Sequence, residues 1–231
     1  MRFPRFFLLI AILLTAISGP ARAFDHPQTY LSPQMLPPQL LPPPPREGGK
    51  NWRAQEDAVI KAQRDISQAD IAAMRNEQNL RLDLLTAEIG PAFTRDRLPK
   101  TFALLDRVWA DAGQVVEADK QFWHTKRPYL TDKHVKLYVD PIDSSPAYPS
   151  GHTAESRVMA EVLGMLVPQK LAALRVRAET IAQHRVGAGV HYPVDLEGGR
   201  YLAGIIVGAL LANDDFCDDL AAARKELAAV R

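Results

Sequence analysis

From Gly48-Gly49 to the end of the chain, apolar residues recur at intervals of three and four, and clear period-two alternation is absent. That spacing puts apolar side chains on one face of a helix and leaves a sheet nothing to bury, so it constrains the fold more than any other feature. Residues 51–64 predict a first helix. Ser67 with Asp70 reads as a capping box that opens a helix from Gln68 to Glu88, ended by Gly90-Pro91. Thr101 can cap a long helix from Phe102 towards His124, stopped by Arg127-Pro128. Residues 129–150 hold Pro141, Ser144, Ser145, Pro146 and Pro149 and predict a loop. Further helices are expected over Thr153–Leu166, from Pro168 to about His184, over Pro193–Ala212 and over Asp218–Val230. The apolar run from Tyr201 to Ala212 is shorter than the roughly 20 residues a membrane span requires, so it predicts a buried core helix. The expectation is an all-α fold, a single compact helical domain over residues 49–231, without internal repeats.

The first 48 residues have a different character. Met1 to Arg5 form a basic lead, Phe6 to Ile17 are almost wholly apolar, and Ala21-Arg22-Ala23 is a small-x-small site. Residues 1–23 therefore read as a secretory signal peptide cleaved near Ala23, which implies a periplasmic or secreted protein; an uncleaved anchor is the alternative. Residues 24–48 form a Pro-rich extended segment that ends in Pro42-Pro43-Pro44-Pro45. Tyr30, Leu31, Met35, Leu36, Leu40 and Leu41 are interleaved with its prolines, which suits a strap against the body or a partner subunit better than a free spacer. Loss of the leader, with its three arginines and no acid, takes the formal charge from +1 to −2. A near-neutral chain has no electrostatic footprint for nucleic acid as a polymer partner. Cys217 is the sole cysteine, so stability rests on packing and not on an intrachain disulfide.

Three short stretches gather chemistry. Lys120 and Arg127 lie seven residues apart, two helical turns, near one face at a helix end. Pro149-Ser150-Gly151-His152-Thr153 opens a helix, where backbone N–H groups and the Ser150 hydroxyl favour an anion beside His152. Arg185 is followed by His191-Tyr192-Pro193-Val194-Asp195, in which Pro193 can start a helix and Asp195 can reach back to the imidazole. Taken singly, each has an ordinary structural reading: a solvated face, a helix cap, a helix-ending loop.

Taken together, Lys120-x6-Arg127-Pro128, Pro149-Ser150-Gly151-His152 and Arg185-x5-His191-x3-Asp195 are similar to the three-part signature of the bacterial class A non-specific acid phosphatases. That family shares a superfamily with the type 2 phosphatidic acid phosphatases and the vanadium-dependent haloperoxidases. The Tyr30-Leu31-Ser32-Pro33 stretch and the Pro-rich run also resemble the secreted class A branch. The resemblance implies an acid phosphatase/haloperoxidase-like helical fold and a broad hydrolase of small phosphomonoesters, with phosphotransfer as a second activity. It implies His191 as nucleophile, giving a phosphohistidine, oriented by Asp195. It implies His152 as acid and base, and Lys120, Arg127, Ser150, Gly151 and Arg185 as the phosphate cage. No metal or cofactor is expected, because arginine and lysine supply the positive charge, and vanadate should act as an inhibitory phosphate mimic. The resemblance also implies a homo-oligomer without stable membrane insertion. A haloperoxidase-like enzyme binding vanadate at His191 and a non-catalytic periplasmic phosphate-binding protein are the rival readings. His184 stands where the family usually has serine, and a cysteine pair seen in some relatives is missing.

Overall fold

The structure, a computed structural model, describes residues 29–142 and 145–230. The expected signal peptide, residues 1–23, lies outside the described residues, as do residues 24–28 of the Pro-rich segment. Among the described residues all regular structure is helical: α1 Lys50–Ala62, α2 Gln68–Asn76, α3 Asp83–Thr86, α4 Pro99–Trp123, α5 Pro128–Thr131, α6 Gly151–Leu166, α7 Leu171–Gly187, α8 Pro193–Leu211 and α9 Asp214–Ala229. Helix α6 is the central post. It packs most heavily on α7 and α8, also on α4, and buries Val158, Met159, Val162 and Leu163 completely. Helix α4 contributes Leu104, Leu105, Val108, Ala112 and Val115 to the same core. Each such Leu or Val stabilises the fold by about 1.5–3 kcal/mol relative to exposure.

Residues 29–48 lie against this body. The Tyr30 and Leu31 N–H groups donate to Asp111 Oδ2 at 2.7 and 3.0 Å, the Tyr30 hydroxyl donates to Asp219 at 2.6 Å, and Tyr148 donates to the Pro42 carbonyl at 2.7 Å. Tyr30, Leu31, Leu36 and Leu41 are buried, whereas Met35 and Leu40 face outward.

Several boundaries differ from the sequence expectation. The helix expected over Gln68–Glu88 opens on the Ser67–Asp70 capping box but ends at Asn76. Glu77 turns inward there to meet Arg177 and His184, and Gln78 exchanges two hydrogen bonds with Asp140, so the chain leaves the helical path. Thr101 is not the cap of α4. That helix starts at Pro99, and Glu226 of α9 accepts the Lys100 and Thr101 N–H groups at 2.9 and 2.8 Å, a cap supplied 125 residues away. It stops at left-handed His124, φ 51°, while Pro128 begins α5 instead of ending α4. Helix α9 starts at Asp214, four residues before the expected Asp218, because Asn213 Oδ1 accepts the Phe216 N–H at 2.9 Å. Helix α8 is buried on one flank only: Leu202, Ala203, Ile206 and Leu210 face the core, and Tyr201, Gly204, Gly208 and Leu211 are exposed.

One core position conflicts with its neighbours. Asp119 of α4 is 1% exposed and neither carboxylate oxygen has a hydrogen-bond partner among the described residues. Burial pushes its pKa up to about 7. A carboxyl whose folded pKa lies above its unfolded value takes up a proton on folding between the two values. Below about pH 4 both states are protonated and the site is neutral to stability; the penalty grows from there and is complete above about pH 7. Asp119→Asn should therefore raise stability by about 2 kcal/mol near pH 8 and leave it unchanged near pH 4, read as a Tm difference at the two pH values.

Candidate active site

The 188–192 turn and the start of α8 set the first half of the site. Gly189 has φ 80°, and a Cβ there would also crowd Gln63 Nε2 at 3.1 Å, so only glycine suits the turn that delivers His191. Pro193 opens α8, and Asp195 in its first turn accepts the Tyr192 N–H at 2.8 Å. The same oxygen stands 3.1 Å from His191 Nδ1. On the other ring nitrogen, Nε2 lies 3.2 Å from Arg127 Nη1. A guanidinium can only donate, so Nε2 is the acceptor and the proton sits on Nδ1, pointing at Asp195. That tautomer turns the single Nε2 lone pair towards Arg127 at the cleft, so the ring can attack only when Arg127 gives its N–H to another acceptor.

The start of α6 forms the second half. Ser150 is the N-cap; its oxygen accepts from the Thr153 N–H at 3.4 Å and the Thr153 hydroxyl at 3.0 Å, which leaves its own O–H available as a donor. The Ser150 N–H donates to the Asp195 carbonyl at 2.9 Å, tying the two motifs together. Helix α8 can come this close because residue 199 is glycine: a Cβ there would stand 2.8 Å from the Ser150 carbonyl oxygen and from Thr153 Cβ. Gly151 begins α6 with unpaired helix-start geometry toward the cleft.

Lys120, Arg127, Gly151, His152 and His191 line one cleft of about 380 Å³. Ser150, Asp195 and Arg185 are buried and do not line it: Ser150 adjoins Gly151, Asp195 meets His191 Nδ1, and the Arg185 charge acts on His152 and His191. Lys120 Nζ donates to the Pro146 carbonyl at 2.5 Å, and Arg127 donates to the carbonyls of Ser145, Pro146 and Val190 at 2.8, 3.2 and 2.9 Å. These bonds shape the 145–147 loop and hold both cations at the cleft. Arg185 differs: it is 0% exposed, and none of its three guanidinium nitrogens has a hydrogen-bond partner among the described residues.

Burial, with the cations adding to it, governs the titration of the histidines. Burial, reinforced by Arg127, Lys120 and Arg185, holds His191 well below the usual histidine range, so the ring is neutral. His152 is pushed down to about 3, by burial first and then by Arg185. Burial raises the Asp195 carboxyl against the Tyr192 N–H, Lys120 and Arg127, and it lowers Lys120 with help from Arg127.

Two acids at the site, Glu77 and Glu155, lie outside the three sequence motifs. Glu77, 1% exposed, receives Arg177 at 2.6 Å and His184 Nδ1 at 2.7 Å, while its backbone carbonyl is 2.9 Å from His152 Nε2. Burial would raise its carboxyl, but the His184 and Arg177 hydrogen bonds outweigh that and hold it below the usual range. His184, the departure from the resembled pattern, thus anchors the residue that positions His152. Glu77 is 75 residues from His152 and 107 from His184, so no local spacing could reveal it. Glu155 lines the cleft one helical turn after Gly151, a position that helical spacing does point to.

A helical post with a histidine–carboxylate pair, a helix start and three buried cations around one cleft matches a known class. Residues 108–215, a little under half of the chain, match the PAP2 superfamily and hold its domain. Among individual proteins it is similar to the non-specific acid phosphatase of Salmonella typhi, 26% identical over 239 residues, 98% of this chain and 92% of the relative. It is likewise 26% identical over 249 residues to the acid phosphatase of Zymomonas mobilis subsp. mobilis, covering 100% of this chain and 93% of that one. A shorter match of 210 residues, 27% identical, reaches the non-specific acid phosphatase of Providencia stuartii, with 83% of this chain and 81% of that one covered. In fold it is similar to the crystal structure of the first transmembrane PAP2 type phosphatidylglycerolphosphate phosphatase, from Bacillus subtilis, at a TM-score of 0.51 and 17% identity over 70% of this chain and 85% of that one. Among the described residues of this chain no helix is long and apolar enough to cross a membrane.

Proposed function

We propose that this protein is an acid phosphatase that hydrolyses small phosphomonoesters through a phosphohistidine on His191, without a metal ion. Arg185 carries the reading. A fully buried guanidinium with no bonded nitrogen costs several kcal/mol unless an anion meets it, and a phosphoryl group beside His191 and His152 is such an anion. The named relatives support the phosphatase class.

In this scheme Lys120, Arg127, Arg185, the Ser150 hydroxyl and the Gly151 N–H hold the phosphoryl oxygens, and each well-placed donor contributes about 3 kcal/mol in the transition state. His191 Nε2 attacks phosphorus as the ester P–O bond breaks; Asp195 keeps the ring oriented and offsets its new positive charge. Burial is the larger cause of the low His152 pKa and Arg185 the second; a dianion beside Arg185 offsets the second and attracts the imidazolium, so His152 takes up a proton more readily when substrate arrives. It gives that proton to the leaving oxygen and then takes one from the water that cleaves the P–N bond. Phosphotransfer follows when an alcohol replaces that water. We include in the proposal export to the periplasm or beyond after loss of residues 1–23, and a homo-oligomer that uses the exposed apolar flank of α8.

The test is turnover of a chromogenic phosphomonoester by purified protein in excess chelator. The expected result is full activity, highest at mildly acidic pH, and strong inhibition by vanadate. Activity that disappears with the chelator contradicts the metal-free scheme. Binding of phosphate without turnover would leave a phosphate-binding protein.

A further inference from the structure

Lys120, Arg127, Gly151, His152 and His191 are assigned to the phosphoryl group, and the rest of the lining must receive the organic part of the ester. Its charged and amide members are Glu155 from α6, Glu117 from α4, and Gln78 and Asn79 from the turn after α2; the others, such as Leu80, Val116 and Ile142, are uncharged. Glu155 stands against the cage itself. A Cβ placed on Gly151 would lie 3.2 Å from Glu155 Oε1 and 3.8 Å from Lys120 Cε. Glu155 makes no hydrogen bond among the described residues, in contrast to Glu77, whose carboxylate is fully engaged, and Glu117, which accepts from Gln121 at 2.6 Å. A free carboxylate at the rim of a cationic cage divides the cleft into a positive floor and a negative wall.

We propose that Glu155 makes the leaving-group side of the cleft selective for phosphomonoesters whose organic part carries an ammonium or hydroxyl group, and against those that carry a second anion. The inference rests on the phosphatase reading. An ammonium group two carbons from the ester oxygen gives Glu155 the donor it lacks, whereas a carboxylate in the same place sets two like charges together. Burial pushes the Glu155 carboxyl up to about 7, with Lys120 opposing. The charged and titratable groups around it are Lys120 and Glu117 of α4, His152 of its own helix, and Arg127 and His191 on the cleft lining, while the turn after α2 brings the neutral Gln78 and Asn79. The discrimination is therefore about half developed near pH 7, nearly complete about a unit above it, and fades below it as Glu155 takes up a proton.

The experiment compares kcat/KM for 2-aminoethyl phosphate, 2-hydroxyethyl phosphate and phosphoglycolate, three esters of nearly equal size. The native protein should prefer the amine to the carboxylate by about tenfold near pH 8, with the hydroxyl ester between them, and by less near pH 5. Glu155→Gln should bring the amine-to-carboxylate ratio to within about twofold, mainly by improving phosphoglycolate, and Glu155→Ala should do the same. Equal kcat/KM for the three esters with native protein overturns the selectivity and leaves the phosphatase reading standing. A uniform fall for all three in both variants, with the ratio kept, also overturns it and reduces Glu155 to a counter-charge for Lys120. Turnover of no phosphomonoester at all overturns both readings.

Discussion

Arg185→Met is expected to yield a protein that is more stable than the native one and nearly inactive. The guanidinium is fully buried, none of its nitrogens is bonded among the described residues, and burial together with Arg127 pushes its pKa down to about 10. Glu77 is the carboxylate that offsets it, yet that group is already bonded to Arg177 and His184. An apolar side chain of similar length removes a poorly compensated charge, so the ligand-free protein should gain about 2–4 kcal/mol. The same change removes a bidentate donor from the cage, and kcat/KM should fall by at least about a hundredfold. Phosphate at about 100 times its Kd should stabilise the native protein by about 2.7 kcal/mol and the variant hardly at all. Thermal melts with and without phosphate read the stability changes, and steady-state rates read the loss of activity. A destabilised variant that still responds fully to phosphate would show that Arg185 is a structural residue.

The second large effect lies at His191. His191→Ala should lower kcat by about four orders of magnitude or more, because the proposed scheme routes every turnover through a covalent intermediate on that ring. Ser150→Ala should lower it only by about one to two orders of magnitude, since that hydroxyl is one donor among several and also caps α6 through Thr153. The His191 variant should still gain stability from phosphate, because Lys120, Arg127 and Arg185 remain; steady-state rates and melts separate chemistry from binding.

The local signals in the sequence were sufficient where the physics is local. The Ser67–Asp70 capping box, Pro193 at the start of α8 and Ser150 at the start of α6 can each be seen within a few residues, and each sits where its spacing predicts. Residues of all three motifs, Lys120, Arg127, Gly151, His152 and His191, also meet around one cleft, whereas Asp195, Ser150 and Arg185 are buried and do not line it. What the sequence hid depends on distant partners. Glu226 caps α4 from the last helix, and nothing near Thr101 announces it. Glu77 breaks an otherwise helical stretch because Arg177 and His184 wait on α7. The outer flank of α8 is as apolar in sequence as the buried one, so periodicity alone could not assign Tyr201 and Leu211 to the surface. His184 is the instructive residue. As a deviation from the resembled motif it pointed to a changed hydrogen bond near Arg185 without naming a partner, and that partner, Glu77, lies between it and His152.

The most direct test of the account is a rapid-quench reaction with a phosphomonoester labelled in its phosphoryl group, run in excess chelator at mildly acidic pH, with the modified residue located by peptide mass analysis. The account predicts acid-labile label on His191 within the first turnover, absent from His191→Ala. Label on any other residue, or native turnover without any covalent label, would contradict it.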